Sequence, residues 1–255
     1  MNESAWDINP VLYNLHHMNE IEDIPFWIAM AEQVGGPILE LGCGTGRLLI
    51  PLAIKGFSVL GLDNNLPMLS FCRRQIPQEL LNRIGIFQAD IQEFHLEKKF
   101  SFIIFACNTY STLTEYARKR AISRIVDHLN EEGVITISMP NPHQLAALPV
   151  YGEPEIETLV IHPTTGNPIQ ISSEWRRKEQ IVEFLWHYDH MFPDGQVSRQ
   201  TIKSRQNLLM PEVYQAELVG ANLEIINQFG DFDRNNFHDE SPSLIFVTRK
   251  LEKFL

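Results

Sequence analysis

Cysteine is scarce in this 255-residue chain: only Cys43, Cys72 and Cys107, at spacings that form no pairs. So odd and scattered a set excludes a disulfide framework and a cysteine zinc site, and it fits a reducing compartment. Positive charge is also thin. The 21 Lys and Arg against 32 Asp and Glu leave a formal net charge of -11, which repels a phosphate backbone and excludes nucleic acid as the expected partner. The basic runs Arg73-Arg74, Arg118-Lys119-Arg120 and Arg176-Arg177-Lys178 are short and read as solvated faces. No apolar stretch is long enough to cross a bilayer, and the polar start Met-Asn-Glu-Ser-Ala-Trp-Asp has no signal-type core. The expectation is an unprocessed, soluble, cytoplasmic protein with no membrane partner.

Against these absences stands one dense feature. Residues 38–47 read Ile-Leu-Glu-Leu-Gly-Cys-Gly-Thr-Gly-Arg, an apolar run through Glu40 that breaks into glycines at 42, 44 and 46 before the helical stretch Leu48–Ala53. A strand enters a tight turn and a helix leaves it. Without a Cβ the backbone reaches otherwise forbidden conformations and brings main-chain N–H groups and a helix N-terminus against a ligand. The spacing narrows the ligand. A dinucleotide fingerprint needs Gly-x-Gly-x-x-Gly, but here the third glycine comes one residue early and Arg47 takes the place of the last one.

From Ile38 to Met139 short β-type runs alternate with helical patterns, which predicts a parallel sheet with helices on both faces. Strands are expected at Ile38–Leu41, Ser58–Leu62, Ile84–Gln88, Phe102–Ala106 and Val134–Met139, each nearly continuous in apolar residues. Helices are expected at 46–55, 66–76 and 115–130, with Gly56 ending the first and Glu131-Glu132-Gly133 turning the third into its strand. Upstream, Ile24–Val34 reads as a helix with Asp23 as N-cap and Pro25 in its first turn. After Pro140-Asn141-Pro142 the pattern changes. Residues 155–208 alternate between turn signals at Thr164-Thr165-Gly166-Asn167 and Pro193-Asp194-Gly195, an antiparallel meander of about four strands. A helix at Pro211–Leu218 and strands at Glu224–Phe229 and Leu244–Arg249 close the chain.

Asp63 ends the second strand about 20 residues after the first glycine, where a carboxylate accepts hydrogen bonds from ribose hydroxyls. It continues as Asp63-Asn64-Asn65-Leu66-Pro67-Met68-Leu69; Gln88-Ala89-Asp90-Ile91 follows the third strand and Cys107-Asn108-Thr109-Tyr110 the fourth. In this order and spacing, with glutamate ahead of alternate glycines, residues 38–139 resemble the class I S-adenosylmethionine-dependent methyltransferases. Asn65 stands where that family's Asp-x-Ser-x-x-Met-Leu pattern has serine. The segment Gly230–Pro242 and the strand after it are similar to the ending of bacterial small-molecule methyltransferases, including N-methyltransferases of amino-sugar and antibiotic pathways.

The resemblance implies an α/β fold: a Rossmann-like seven-stranded sheet with its last strand antiparallel, helices on both faces, and an inserted antiparallel β-sheet capping the acceptor pocket. The corresponding parts are a helical lid at 1–35, the cofactor domain at 36–142 and 209–255, and the cap at 143–208. It implies S-adenosylmethionine as cofactor, S-adenosylhomocysteine as product, and no metal. Glu40, Gly42, Gly44 and Gly46 would form the cradle, joined by Asp63 and Asn64. Met68 would lie along the adenine, with Asp90 at its exocyclic amine and the Ile91 N–H on the ring, while Cys107 would sit beside the amino-acid end. Taken alone, Met68 reads as core and Asp90 as a turn cap. Trp6–Met18, which carries Tyr13, reads either as a lid over the cofactor or as a helix packed on the sheet edge.

A sulfonium already activates its methyl group, so transfer needs alignment and exclusion of water. An amine acceptor needs only positioning once deprotonated, whereas oxygen or carbon usually needs a base. Tyr13, Tyr110, His143, Tyr188 and His190 are candidates, with Tyr13, Tyr110 and His190 leading. His190 and Tyr188 share a strand face with Phe184, Trp186 and Phe192. That stripe lines an acceptor pocket, forms a sheet core, or meets a second copy in a homodimer; His187 and Asp189 are expected on the solvent side. The expected partner is a small-molecule acceptor, nitrogen favoured over oxygen or carbon. A non-catalytic cofactor-binding protein and an NAD-dependent oxidoreductase are the alternatives. Cys-Asn-Thr-Tyr after the fourth strand is not the Asn/Asp-Pro-Pro-Tyr of base or glutamine methylation, and no Pro-Cys exists for cytosine C5 chemistry. Asp231-x-Asp233-x-Asn235 fails as a calcium loop, having Asn236 for the glycine and Pro242 for the final glutamate.

Overall fold

The structure, a computed structural model, describes residues 9–17 and 21–251. In chain order it runs α1 (Pro10–His17), α2 (Ile24–Val34), β1 (Ile38–Leu41), α3 (Leu49–Ile54), β2 (Val59–Asp63), α4 (Leu66–Gln75), β3 (Ile84–Gln88), β4 (Phe100–Phe105), α5 (Thr109–Thr112) and α6 (Glu115–His128). There follow β5 (Leu129–Pro140), α7 (Pro142–Ala147), β6 (Tyr151–Ile161), β7 (Pro168–Arg177), β8 (Ile181–Met191), β9 (Val197–Asn207), α8 (Pro211–Gly220), β10 (Leu223–Phe229) and β11 (Ser243–Lys250). Two compact units result: one joins Ile21–Gln144 to the segment from Leu209 onward, and the other joins α1 to Leu145–Leu208.

The larger unit is a seven-stranded sheet in the order β10-β11-β5-β4-β1-β2-β3. β1 to β5 are parallel, while β11 runs antiparallel to both β5 and β10. The expected seven-stranded fold with its antiparallel final strand is present. Every residue of β1 is buried, as a central strand covered on both faces requires. One face packs Ile38, Phe102 and Ile104 against Trp27 and Met30 of α2, Leu49 and Leu52 of α3, and Leu69 and Cys72 of α4. The other sets Leu39, Leu41, Ile103 and Phe105 against Ile122 and Ile125 of α6 and Tyr214 and Leu218 of α8.

Several local expectations need correction. Gly46 lies at φ 87°, so the helix after the glycine loop begins at Leu49 rather than 46. Residues 131–133 do not form a separate turn but lie inside β5. Its pairing jumps from Phe100↔Leu129 to Phe102↔Val134, so residues 130–133 bulge out of the ladder. Asp23 precedes α2 but makes no side-chain cap. Its carboxylate is taken by Trp27 Nε1 (2.9 Å) and by Arg47. The short helices α5 and α7 were not anticipated.

The smaller unit is a four-stranded antiparallel meander, β6-β7-β8-β9, as the turn signals predict, although β6 begins four residues early at Tyr151. Across β8 alternate residues divide the sheet into two faces. Phe184, Trp186, Tyr188, His190 and Phe192 stand on one. Helix α1 packs here, His16 meeting Trp186 at a ring-centroid distance of 4.8 Å and its Nδ1 lying 3.0 Å from the Tyr188 hydroxyl. Thus the described part of the Trp6–Met18 stretch packs on a sheet face of the smaller unit; residues 6–8 and 18 lie outside the described set. Asp189, expected toward solvent, is buried, its side chain 8% exposed. It pairs across strands with Arg199 through two bonds of 2.6 Å, which hold its carboxyl below the usual range.

Candidate cofactor and methyl-transfer site

In open α/β sheets ligands bind beyond the carboxyl ends of the strands, where the order reverses. Here the reversal falls between β1, whose chain continues to β2 on one side, and β4, which lies on the other. The glycine loop after β1 and the turn after β4 therefore share this crevice. Gly42, Gly44 and Gly46 have φ of 73°, 53° and 87°, the left-handed region. The N–H groups of Gly42 and Cys43 both donate to Leu62 O (2.7 and 3.0 Å), folding the loop back on β2. A Cβ on Gly42 would stand 3.0 Å from Thr109 Oγ1, so the first residue of α5 is already against the loop.

Asp63 ties β2 to this loop. Its Oδ2 accepts from Gly44 N and its Oδ1 from Asn65 N, both at 2.8 Å. Burial raises its carboxyl pKa, and these N–H groups pull it back. Each oxygen keeps accepting capacity for a further donor. The Asn65 side chain accepts from Met68 N (3.1 Å) as the N-cap of α4, so the asparagine at this position caps the helix. Met68 is buried at the start of that helix, and Asn64 is exposed with its carbonyl held by Gln88 Nε2 (3.0 Å). Beyond β3, Asp90 Oδ1 accepts from Gln92 N (2.8 Å), the turn-capping arrangement, and Ile91 packs partly buried against the core.

Glu40 is the anomaly of the cradle. It lies at 4% exposure on β1, its Oε2 has no hydrogen-bond partner among the described residues, and burial pushes its carboxyl up to about 8. Asp63 and Asp23 push the same way and Arg47 opposes them. A buried unpaired carboxyl oxygen is costly unless something cationic or donating meets it. Arg47, read in the sequence only as a mismatch to the dinucleotide motif, is fixed by Asp23 through Nη1 (2.5 Å) and Nη2 (2.7 Å) and reaches Cys107 Sγ at 3.0 Å. An arginine directly after a glycine loop is the signal that could have found it. Cys107 and Asn108 lie at φ 53° and 62°, two successive left-handed non-glycine residues next to the crevice.

The structure thus gathers Glu40, Gly42, Gly44, Gly46, Asp63 and Cys107, with Arg47 added. Tyr110 is drawn away. Its ring is fully buried and its hydroxyl donates to Glu217 Oε2 (3.0 Å), so burial and Glu217 both raise its pKa and it is no ready base. Tyr13 and His190 belong to the smaller unit. There the Tyr13 ring lies 4.4 Å from that of His17, and His190 stacks on His162 and Phe192 at 5.1 and 4.5 Å. Tyr188 is buried against His16. His143 Nε2 lies 3.5 Å from Asp239 Oδ1. Asp231, in the rejected calcium loop, spends both oxygens locally on Asp233 N and on the Asn235 N and Nδ2 (2.8–3.0 Å).

Beside this crevice, buried Asn141 donates to the carbonyls of His238, Asp239 and Ser241 (3.3, 2.9 and 2.7 Å) and accepts from His143 N. Asn141→Ala strands those carbonyls and is expected to lower stability by roughly 2–3 kcal/mol, read as a lower urea midpoint at unchanged slope.

Residues 38–133 match the model of a family described as a methyltransferase domain. Over these residues the chain carries a methyltransferase domain, and it is an S-adenosylmethionine-dependent methyltransferase. A dTDP-3-amino-3,6-dideoxy-alpha-D-glucopyranose N,N-dimethyltransferase of Streptomyces fradiae is 24% identical over 222 residues, 84% of this chain and 83% of the relative. Among solved structures, an S-adenosylmethionine-dependent methyltransferase from Clostridium acetobutylicum superposes with a TM-score of 0.79 at 15% identity, covering 94% of this chain and 97% of its own. A sugar N-methyltransferase from Streptoalloteichus gives 0.75 at 19% identity, covering 96% and 94%. The methyltransferase uses S-adenosylmethionine, and the cradle fits that cofactor: Glu40 offers an unmet buried acceptor to a cationic ligand, and Asp63 keeps capacity for hydroxyl donors. Among the described residues no helix is long and apolar enough to cross a membrane, and no three His, Cys, Asp or Glu side chains cluster as a metal site.

Proposed function

We propose that this methyltransferase methylates an amine of a small-molecule acceptor, working by positioning rather than by a strong base. The Streptomyces fradiae relative carries the reading. It is named for N,N-dimethylation of an amino sugar, and its likeness spans more than four fifths of both chains, well past the methyltransferase domain. When bound, the cofactor supplies a methyl already activated by its sulfonium. In this reading Asp63 accepts from the ribose hydroxyls and Asp90, with the Ile91 N–H, meets the adenine over Met68. Asp23-oriented Arg47, and Glu40 once a bound cation draws off its proton, would set opposite charges at the glycine loop, the complement of a zwitterionic amino-acid end. Tyr110 being committed to Glu217 favours an acceptor that needs no base at that position.

Calorimetry and methyl-transfer assays test this. S-adenosylhomocysteine should bind and NAD should not, and Asp63→Ala should weaken S-adenosylhomocysteine binding by roughly 30-fold or more, the loss of about 2 kcal/mol in hydrogen bonds to a charged group. Labelled methyl from S-adenosylmethionine should appear on primary or secondary amines in a panel of amino sugars. Label that appears only on hydroxyl or carbon acceptors would overturn the amine assignment.

A further inference from the structure

We propose that Glu217 and Arg118 are positioning residues for the amino-acid end of the cofactor, acting through helix α5 and the turn at Cys107–Asn108; this rests on the cofactor placement proposed above. Neither residue touches the glycine loop. Helix α5 has four residues, too few to hold a helix by its own hydrogen bonds, and it follows two left-handed non-glycine residues. Something outside it must fix its place. Both its ends are held by one buried group of side chains: the Tyr110 hydroxyl donates to Glu217 Oε2 (3.0 Å), and Arg118 Nη1 donates to Leu113 O (2.7 Å) where the helix stops.

Those two anchors are locked to each other. Arg118 Nε and Nη2 fork onto Glu217 Oε2 and Oε1 (2.8 and 2.7 Å), and the guanidinium lies over the Tyr214 ring at 5.3 Å. Arg118 is 1% exposed and Tyr110 and Tyr214 are 0%. An ion pair so deeply buried is weak evidence for stability, because apolar side chains of similar volume often serve as well; what it fixes is geometry. The geometry reaches the site by two contacts. Thr109 of α5 stands against Gly42, and Cys107 Sγ is held by Arg47 Nη2. A displaced α5 therefore moves the residues that would meet the amino-acid end, while Asp63, at the end of β2, and Asp90, in the turn beyond β3, stay in place.

The prediction separates the two ends of the ligand. S-adenosylhomocysteine carries the amino-acid end, and 5′-methylthioadenosine lacks it. In the triple variant Tyr110→Phe, Arg118→Met, Glu217→Leu, S-adenosylhomocysteine affinity should fall at least about tenfold while 5′-methylthioadenosine binds as in the native protein. Tyr110→Phe alone should move the same ratio about threefold, with little change in melting temperature, and decides the matter if the triple variant folds poorly. A purely structural role predicts that both affinities follow stability. Equal losses for both probes, or S-adenosylhomocysteine affinity within about twofold of native in both variants, would overturn the proposal. A native protein that binds neither probe overturns the cofactor placement and this proposal with it.

Discussion

Glu40→Gln is expected to make the ligand-free protein more stable than the native sequence at pH 8.5 and, in the same molecule, to weaken S-adenosylmethionine binding. The Glu40 carboxyl stands at about 8 in the folded chain against an ordinary 4.5, chiefly through burial. Between those values the unfolded chain has released the proton that the folded chain retains, so rising pH favours unfolding. The stability that goes with the retained proton is fully present below pH 4.5 and lost as pH climbs through 8. At roughly 1.4 kcal/mol per pH unit the gap sets an upper bound of about 5 kcal/mol. Glutamine has nothing to titrate and removes this slope. Urea titrations of both proteins at pH 5.5 and 8.5 measure it, and parallel pH profiles would show that Glu40 is not the group responsible. A bound cation should draw the proton off, so near pH 7 S-adenosylmethionine binding should release about one proton, read from calorimetry in buffers of different ionisation enthalpy. The variant should release none.

That coupling could not be read from the sequence, although much of its setting could. β1 falls where its continuous apolar run places it, because a strand covered on both faces leaves little room for polar residues, and β3 keeps its expected bounds although it is an edge strand with only Ile84 buried. The four-stranded meander was legible from Gly166 and Gly195, both at positive φ in their hairpin turns. What composition and spacing miss is the partner of each side chain across the fold. Asp23 looks like an N-cap until Arg47, 24 residues on, takes its carboxylate. Asp189 follows the alternation toward the polar face, yet Arg199 on the next strand encloses it. Tyr110 sits at the right place in the chain for chemistry, but Glu217 lies 107 residues away in sequence and turns its hydroxyl into the core. Local pattern sets the elements. Long-range pairing decides which polar residues remain available to a ligand.

Tyr110's partners supply the other large effect. Glu217→Leu and Arg118→Met, made separately, are each expected to destabilise the protein by roughly 3–5 kcal/mol, because each leaves the opposite charge buried without its counter-ion. Among the described residues Arg118 would retain Leu113 O and the Tyr214 ring. Without Arg118, Glu217 would keep the Tyr110 hydroxyl, one neutral donor for a carboxylate whose side chain is 6% exposed. Combining both changes with Tyr110→Phe removes charge and hydroxyl together and should recover most of the loss, a coupling far from additive. Urea unfolding of the two single variants and the triple variant measures this directly. Additive losses would mean that the three side chains act independently, and the restraint on α5 would then need another source. Recovery of stability in the triple variant leaves α5 packed but no longer held at Tyr110 and Leu113, which separates holding the helix in place from holding the protein together.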